Sequence, residues 1–311
     1  MKDIIFSTGV KTSFRDFLKQ KIDKKIIKSL ERRSIKFNSE RGEKIAVFAN
    51  EHIGLHINQY GCYDRLNLEL LFTFLSPLAD GFKDSLALDI GANIGNHSLF
   101  FSRYFGSVCA FEPNQRTFDL LSFNSKSVDN VTPFKFGLGD VEGVFTLNEN
   151  PNNMGSSSIK YSDFSQGRRV DISVKRLDDI DFPSAHINFI KIDVEGFESN
   201  VIKGGLNVLK KSQPLIIFEQ HASEFENGST EAIDLLKQLG YLFCWQLPEL
   251  RQKGRWSRQI TTIVHAIIGK PVNYIFKTGD TIPCGKYGML IAVPARFQEP
   301  LGLGGALRAQ R

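Results

Sequence analysis

Leu88-Asp89-Ile90-Gly91-Ala92-Asn93-Ile94-Gly95-Asn96-His97 sets two glycines and a carboxylate where an apolar run feeds a helix-like run. Glycines at such a junction allow a tight turn and bring backbone N–H groups close to a ligand at the start of a helix. A dinucleotide-binding loop has glycine at relative positions 0, 2 and 5; here those positions are Gly91, Asn93 and Asn96. The last two depart from the pattern, and with them goes the close approach that a pyrophosphate needs. S-adenosylmethionine has no phosphate and makes no such demand. Asp89 suits a ligand carrying an ammonium group. Glu112, 23 residues further on and at the end of the next apolar run, is placed to accept both hydroxyls of a ribose. That second acid would serve NAD equally well, so the loop alone discriminates.

Acids recur at the ends of later apolar runs, at Asp140, Asp193 and Glu219, with Glu195 and His221 close by in sequence. In a doubly wound sheet these ends face the ligand. If the ligand is a methyl donor of this kind and the acceptor an alcohol, a hydroxyl must be held in line with the sulfonium and its proton removed as the bond forms. Asp193 is the first candidate for that proton and His221 the second, with Glu219 and Glu195 beside them. Lys191 and Asp193 alternate with Ile190 and Ile192, so a buried ion pair explains Lys191 as well as a catalytic role does. Glu219 would serve as readily to hydrogen-bond a loop. Asp193, Glu195, Glu219 and His221 could also hold a divalent metal that lowers the alcohol pKa. Their spacing is no recognised ligand set, so a metal is not favoured.

The elements that must position these groups follow an alternating pattern from residue 86 onward, which predicts a doubly wound α/β architecture. Strands are expected at Leu86–Ile90, Val108–Phe111, Val131–Phe136, Val144–Leu147, Val170–Val174, Ile187–Ile192, Leu215–Phe218, Tyr241–Gln246 and Met289–Val293. Helices are expected at Asn96–Phe105, Gln115–Ser125, Ser199–Lys211 and Thr230–Leu239. Before them, residues 45–57 read as a short hairpin and Leu66–Leu75 as a helix.

Asp-Ile-Gly-Ala-Asn-Ile-Gly (89–95), Phe-Glu-Pro-Asn (111–114), Gly-Ser-Ser-Ser (155–158) and Ile-Lys-Ile-Asp-Val-Glu-Gly-Phe-Glu (190–198) together resemble the FkbM-type methyltransferase family, in order and in spacing. The resemblance covers about 86–293. It implies a class I, S-adenosylmethionine-dependent O-methyltransferase with a Rossmann-like sheet of order 3-2-1-4-5-7-6, the last strand antiparallel. It further implies that Asp89, Gly91, Asn93 and Gly95 hold the methionine end, Glu112 the ribose and Asp140 the adenine amino group. Residues 248–286 depart from it as a long insertion before the final strand. Six basic residues and no acid between 251 and 279 give that insertion the character of a lid over an anionic acceptor.

Residues 1–45 hold thirteen Lys/Arg against six Asp/Glu, so a basic arm precedes a nearly neutral body. Within it Phe14, Phe17, Leu18, Ile22, Ile26, Ile27 and Leu30 recur at helical spacing among lysines. Such a helix either docks on the body with a solvated basic face, the preferred reading, or lies on an anionic membrane surface. The expected division is 1–85 for basic helix, hairpin and accessory helix, 86–296 for the methyltransferase domain, and 297–311 for a disordered tail. No apolar run approaches the ~18 residues of a membrane span, and the first residues lack the apolar core of a signal peptide. The four cysteines form no C-x-x-C pair, which argues against structural zinc and disulfides and fits a reducing cytoplasm. The expected location is cytoplasmic, with peripheral contact at the inner membrane face. A sugar hydroxyl of a surface glycan or a related metabolite is the favoured acceptor. An RNA methyltransferase is the alternative, disfavoured because no base-methylation motif or aromatic RNA-binding module is present. A non-catalytic module that kept the fold is a third reading.

Overall fold

A computed structural model describes residues 13–41, 44–49, 51–149, 168–182, 186–248, 274–279 and 281–304. In chain order the described elements begin with helices α1 (Phe14–Arg41), α2 (His52–Tyr60), α3 (Arg65–Phe74) and α4 (Ala79–Phe82). Next come β1 (Leu86–Ile90), α5 (Asn96–Phe101), β2 (Ser107–Phe111), α6 (Gln115–Ser125), β3 (Val131–Phe134), β4 (Gly137–Gly139) and β5 (Gly143–Glu149). They continue through β6 (Arg168–Arg176), β7 (Ile187–Ile192), α7 (Glu198–Gly204), α8 (Leu206–Ser212), β8 (Leu215–Gln220) and α9 (Glu231–Gln238). Strands β9 (Leu242–Pro248), β10 (Tyr274–Gly279) and β11 (Tyr287–Val293) precede a short helix at Ala295–Gln298.

Leu86–Ile90, apolar except at Asp89 and buried at every position, has the character of a parallel strand covered on both faces. The main sheet has eight strands in the order β10-β9-β11-β8-β7-β1-β2-β3. Strands β3, β2, β1, β7 and β8 are mutually parallel, whereas β11 runs antiparallel to β8 and β9. With β7, β8, β9 and β11 counted as fourth to seventh, the order is 3-2-1-4-5-7-6, extended at the edge by β10. A second sheet of three strands, β4-β6-β5, stands beside it. Two apolar clusters fill the faces, one around Leu88, Ile190, Phe218 and Phe243, the other around Phe72, Phe101, Phe105 and Phe189.

Several expectations need correction. Residues 45–57 form no hairpin: 44–48 pairs with no strand among the described residues, and His52–Tyr60 is helical. Ala46 pairs instead with a side chain, donating its N–H to Asn124 Oδ1 (2.7 Å) and accepting from Asn124 Nδ2 (3.0 Å). The single helix expected over 199–211 is two, broken at Gly204-Gly205. There a Cβ on Gly204 would fall 1.8 Å from the Gly139 carbonyl oxygen, so the backbones of α7 and β4 touch. The insertion is not all lid, because Tyr274–Gly279 pairs antiparallel with β9 and Phe276 stacks on Phe74 of α3 at 4.4 Å. Residues 249–273, with most of the basic island, lie outside the described residues. The tail is ordered at its start: Phe297, Leu301 and Leu303 pack against the second cluster. Residues 305–311 lie outside the described residues.

Helix α1 is docked at its C-terminal end. Phe37, near its end, touches Gly61, and Glu40 meets Arg65 at 3.5 Å. Farther toward its start the apolar side chains stand open to solvent, among them Phe14 (77% exposed), Ile22 (52%), Ile26 (52%) and Ile27 (63%).

Candidate active site

The loop after β1 is fixed from both sides. Gly91 and Ala92 donate their N–H groups to the Phe111 carbonyl (3.0 and 2.9 Å), tying the end of β1 to the end of β2. Gly91 has φ +79°, and a Cβ there would lie 1.8 Å from the Asp193 carbonyl oxygen. Asn93 is also left-handed, with φ +51°, and its Oδ1 accepts the Ile94 N–H at 2.8 Å. A short polar side chain that bonds locally is what makes this conformation tolerable without glycine. Asn96, where a dinucleotide loop has its third glycine, clamps the preceding segment. Its Oδ1 accepts the Tyr63 N–H (3.0 Å) and its Nδ2 donates to the Tyr63 carbonyl (3.1 Å).

A cavity opens above this loop at the carboxyl ends of β1, β2 and β7, lined by Gly91, Asn93, Glu112, Asn114, Lys191, Asp193 and others. Glu112 reaches it as the sequence suggested. Its Oε2 accepts the Asn93 N–H and its Oε1 the Asn114 N–H, each at 2.9 Å, which fixes the carboxylate at the end of β2. Burial pushes its carboxyl upward, and the two N–H groups hold it back.

Asp89 and Asp140 are placed differently from expectation. Asp89 is fully buried and absent from the cavity wall. One of its oxygens accepts from Ser98 Oγ (2.6 Å) and the other from Lys191 Nζ (3.0 Å). Both of its oxygens are thereby engaged within the protein, bracing the loop from beneath. Asp140 likewise stands off the wall, accepting from Asn200 Nδ2 at 3.0 Å. Part of the cavity wall is apolar, formed by Leu138 of β4, Leu147 of β5, Ile172 of β6 and Phe197. Gly155–Ser158 lies outside the described residues.

Lys191 is the hub of the site. Its Nζ donates to Asp89 Oδ1 and the Gly91 carbonyl, each at 3.0 Å, and sits 3.4 Å from Asp193 Oδ2. Burial would lower its pKa, but Asp89 and Asp193 outweigh it and hold the ammonium charged.

Asp193, Glu195 and Glu219 all reach the cavity, from the ends of β7 and β8. His221 stands behind them, its Nε2 3.5 Å from Glu219 Oε1 and 3.9 Å from Glu195 Oε2. Lys286 meets Glu219 at 3.1 Å. Burial and the neighbouring Asp193 and Glu219 push Glu195 up to about 8, so it is largely protonated at neutral pH. Ligand atoms of Glu195, Glu219 and His221, three of the four residues the sequence offered as a metal set, lie within 4.8 Å of one another. The donor set suits a metal poorly. The His221 side chain accepts the Glu224 backbone N–H in a capping box. Its Nε2 is then the protonated nitrogen of the neutral ring, a donor to the carboxylates. The same geometry removes His221 as a base.

Three residues of the wall carried no signal in the sequence. His52 and Tyr63 come from the N-terminal segment and close the cavity from above, and His97 comes from the first turn of α5. A second, smaller hollow lies next to the first and shares Tyr63, His97, Lys191, Asp193 and Glu219 with it, adding Asp64, Phe218 and Met289. Burial and the surrounding carboxylates push the Tyr63 hydroxyl up to about 12, so it stays protonated.

Residues 89–243 match the methyltransferase FkbM domain. The chain carries an FkbM methyltransferase domain. It is 32% identical over 146 residues to the hexuronic acid methyltransferase AglP of Haloferax volcanii, covering 47% of this chain and 59% of that one. It is 28% identical over 167 residues to Methyltransferase 1 of Beauveria bassiana, covering 46% and 62%. The chain thus spans about three fifths of the length of these relatives. A solved FkbM methyltransferase from Methylobacillus flagellatus is 19% identical, with a TM-score of 0.31 over 60% of this chain and 48% of that one. The doubly wound, mostly parallel sheet of the FkbM chain is the Rossmann-like fold of class I methyltransferases.

Proposed function

We propose that this FkbM chain transfers a methyl group from S-adenosylmethionine to a hydroxyl oxygen of a sugar or related metabolite. The observation that carries the reading is Glu112, locked by two backbone N–H groups on the wall of a cavity whose loop lacks the dinucleotide glycines. Bound there, the cofactor would supply an electrophilic methyl on a sulfonium. Glu112 would accept the ribose hydroxyls, and Leu138, Leu147, Ile172 and Phe197 would enclose the adenine. Asp89 would act indirectly, holding Lys191 and the loop in place. Asp193 and Glu219, at the junction of the two hollows, would orient the acceptor hydroxyl toward the methyl.

The wall on the acceptor side is acidic, with Asp64, Asp193 and Glu219. A neutral hydroxyl-bearing face fits it directly. An acidic sugar, the substrate class in the name of AglP, would have to turn its carboxylate away from this wall. Isothermal titration of the full chain tests the cofactor: heat is expected with S-adenosylmethionine and none with NAD. Glu112→Ala should weaken S-adenosylmethionine by roughly 1.5–3 kcal/mol, the range for a charged hydrogen bond. Binding of NAD alone would end the proposal.

We further propose that α1 rests on an anionic membrane surface. No helix among the described residues is long and apolar enough to cross a membrane. The exposed Phe14, Phe17, Leu18, Ile22 and Ile26 lie among Lys19, Lys21, Lys24, Lys25 and Lys28, a combination that gains from lipid and from negative headgroups together. Co-sedimentation is expected with phosphatidylglycerol-containing vesicles and not with phosphatidylcholine alone, and it should fall with salt. Ile22→Glu with Ile26→Glu should abolish it. Equal recovery with neutral vesicles, or none with either, would refute this placement.

A further inference from the structure

A row of aromatic rings leads away from the cavity along α2. His52, His56 and Tyr60 are spaced four residues apart, which puts them on one face of the helix. Their ring centroids follow one another at 4.3 and 5.5 Å. Tyr63 lies alongside, edge-on to both histidines, 6.0 Å from His52 and 5.7 Å from His56. The helix is anchored through its other side, where Gly54 and Ile57 are buried and a Cβ on Gly54 would fall 2.2 Å from the Phe48 carbonyl oxygen. Gly61, left-handed at φ +81°, ends α2 by donating its N–H to the Ile57 carbonyl (2.7 Å). That turn brings Tyr63 back beside the histidines, where Asn96 holds its backbone.

The row begins inside the site and runs out to solvent. His52 and Tyr63 line the main cavity, and Tyr63 also lines the smaller hollow with Asp64, Asp193 and Glu219. His52 is exposed, His56 and Tyr63 are half-buried, and Tyr60 at the far end is 46% exposed. From His52 to Tyr60 the helix rises about 12 Å. Exposed ring surface continuous with a cavity marks a contact surface for whatever the cavity holds.

The chemistry of the two parts selects the ligand. A pyranose has a face of C–H bonds, which rest against the negative face of an aromatic ring, and a rim of hydroxyls, which donate to carboxylates. The row supplies the rings, and Asp64, Asp193 and Glu219 supply the carboxylates. A nucleobase also stacks on rings, but each nucleotide brings a phosphate that those carboxylates repel. Arg65, next to Asp64 in the chain, is already paired with Glu69 (2.7 Å) and Glu40 (3.5 Å).

We propose that the row is the distal part of the acceptor site and binds an uncharged glycan chain: the sugar to be methylated lies against Asp193 and Glu219, and the rings after it stack on His52, His56 and Tyr60. This deepens the methyl-transfer reading above and rests on it for which sugar is methylated. The protein then selects a chain over a free sugar, because each stacked ring adds binding that the reacting sugar alone lacks.

Calorimetric titration of the full chain loaded with S-adenosylhomocysteine tests this, with the mono-, di- and trisaccharides of the malto-, cello- and β-1,4-manno series as probes. In at least one series affinity should rise ~2–10-fold with each added ring. Proton NMR should show the C–H protons of the added rings moved upfield by the aromatic ring currents. His56→Leu should erase the gain of the disaccharide over the monosaccharide. Tyr60→Leu should erase the further gain of the trisaccharide, whereas Tyr60→Phe, which keeps the ring, should retain it. Monosaccharide and cofactor affinity should be unchanged in all three variants. Equal affinity along every series, or a gain that survives His56→Leu combined with Tyr60→Leu, would overturn the proposal. A length-dependent gain with oligouridylate and with no saccharide would overturn it too, giving the row to RNA. Failure of the wild-type chain to bind S-adenosylhomocysteine would strike the methyl-transfer reading instead, and the same sugar series on the cofactor-free chain would still decide the row.

Discussion

Lys191→Met should lower the unfolding free energy by about 3–5 kcal/mol, the cost of breaking a buried ion pair by removing one partner. The side chains of Lys191 and Asp89 are 6% and 0% exposed. With the ammonium gone, Asp89 would keep only the Ser98 hydroxyl, and Asp193 would lose its nearest cation. The Gly91 carbonyl would lose a donor as well. Replacing both partners is a different experiment. Asp89→Asn with Lys191→Met leaves no orphaned charge and should recover most of the loss, since a buried pair gains little net energy over a neutral substitute. Urea unfolding of the wild type, both single variants and the double variant measures the coupling. A loss below about 1 kcal/mol for Lys191→Met would place this pair with solvated surface bridges.

The extent to which the sequence revealed this site differs from residue to residue. The buried strands were legible because parallel strands covered on both faces read as near-continuous apolar runs, as Leu86–Ile90 does on either side of Asp89. Glu112 was legible because its place, one residue past β2, follows from chain order alone. Asp89 was misread because its surroundings depend on register. Strand β7 arrives about a hundred residues later and pairs Lys191 beside Asp89, turning a supposed ligand contact into an internal brace. Asp140 was misplaced for a similar reason, since Asn200 on α7 captures it. The hairpin expected at 45–57 failed because Ile45-Ala46-Val47-Phe48 has the apolar character of a strand but finds a side-chain amide instead of another strand. Asn96 looked like a missing glycine and proved to be the clamp that brings Tyr63 over the cavity. His97 gave no sign at all, because a place on the cavity wall is a property of packing and not of pattern.

Gly91→Ala should cost about 2–5 kcal/mol, combining ~1–2 for a left-handed non-glycine residue with ~1–3 for overpacking. The new Cβ would fall 1.8 Å from the Asp193 carbonyl oxygen. That atom is backbone, so no rotamer change can relieve the clash. The end of β7 must move, and it carries Lys191 and Asp193. The same displacement would pull at the Gly91 and Ala92 N–H bonds to Phe111 that set the loop against Glu112. Stability and S-adenosylmethionine affinity should therefore fall together. Gly81→Ala supplies the control: Gly81 lies in α4, and a Cβ there meets nothing within 4 Å. It should be neutral or gain up to about 1 kcal/mol from helix propensity. Thermal unfolding and cofactor titration on both variants separate the cases. If Gly91→Ala binds S-adenosylmethionine as the wild type does, the close approach of the loop to β7 is not what shapes the site. If Gly81→Ala loses as much as Gly91→Ala, the cost comes from losing a glycine anywhere and not from this contact.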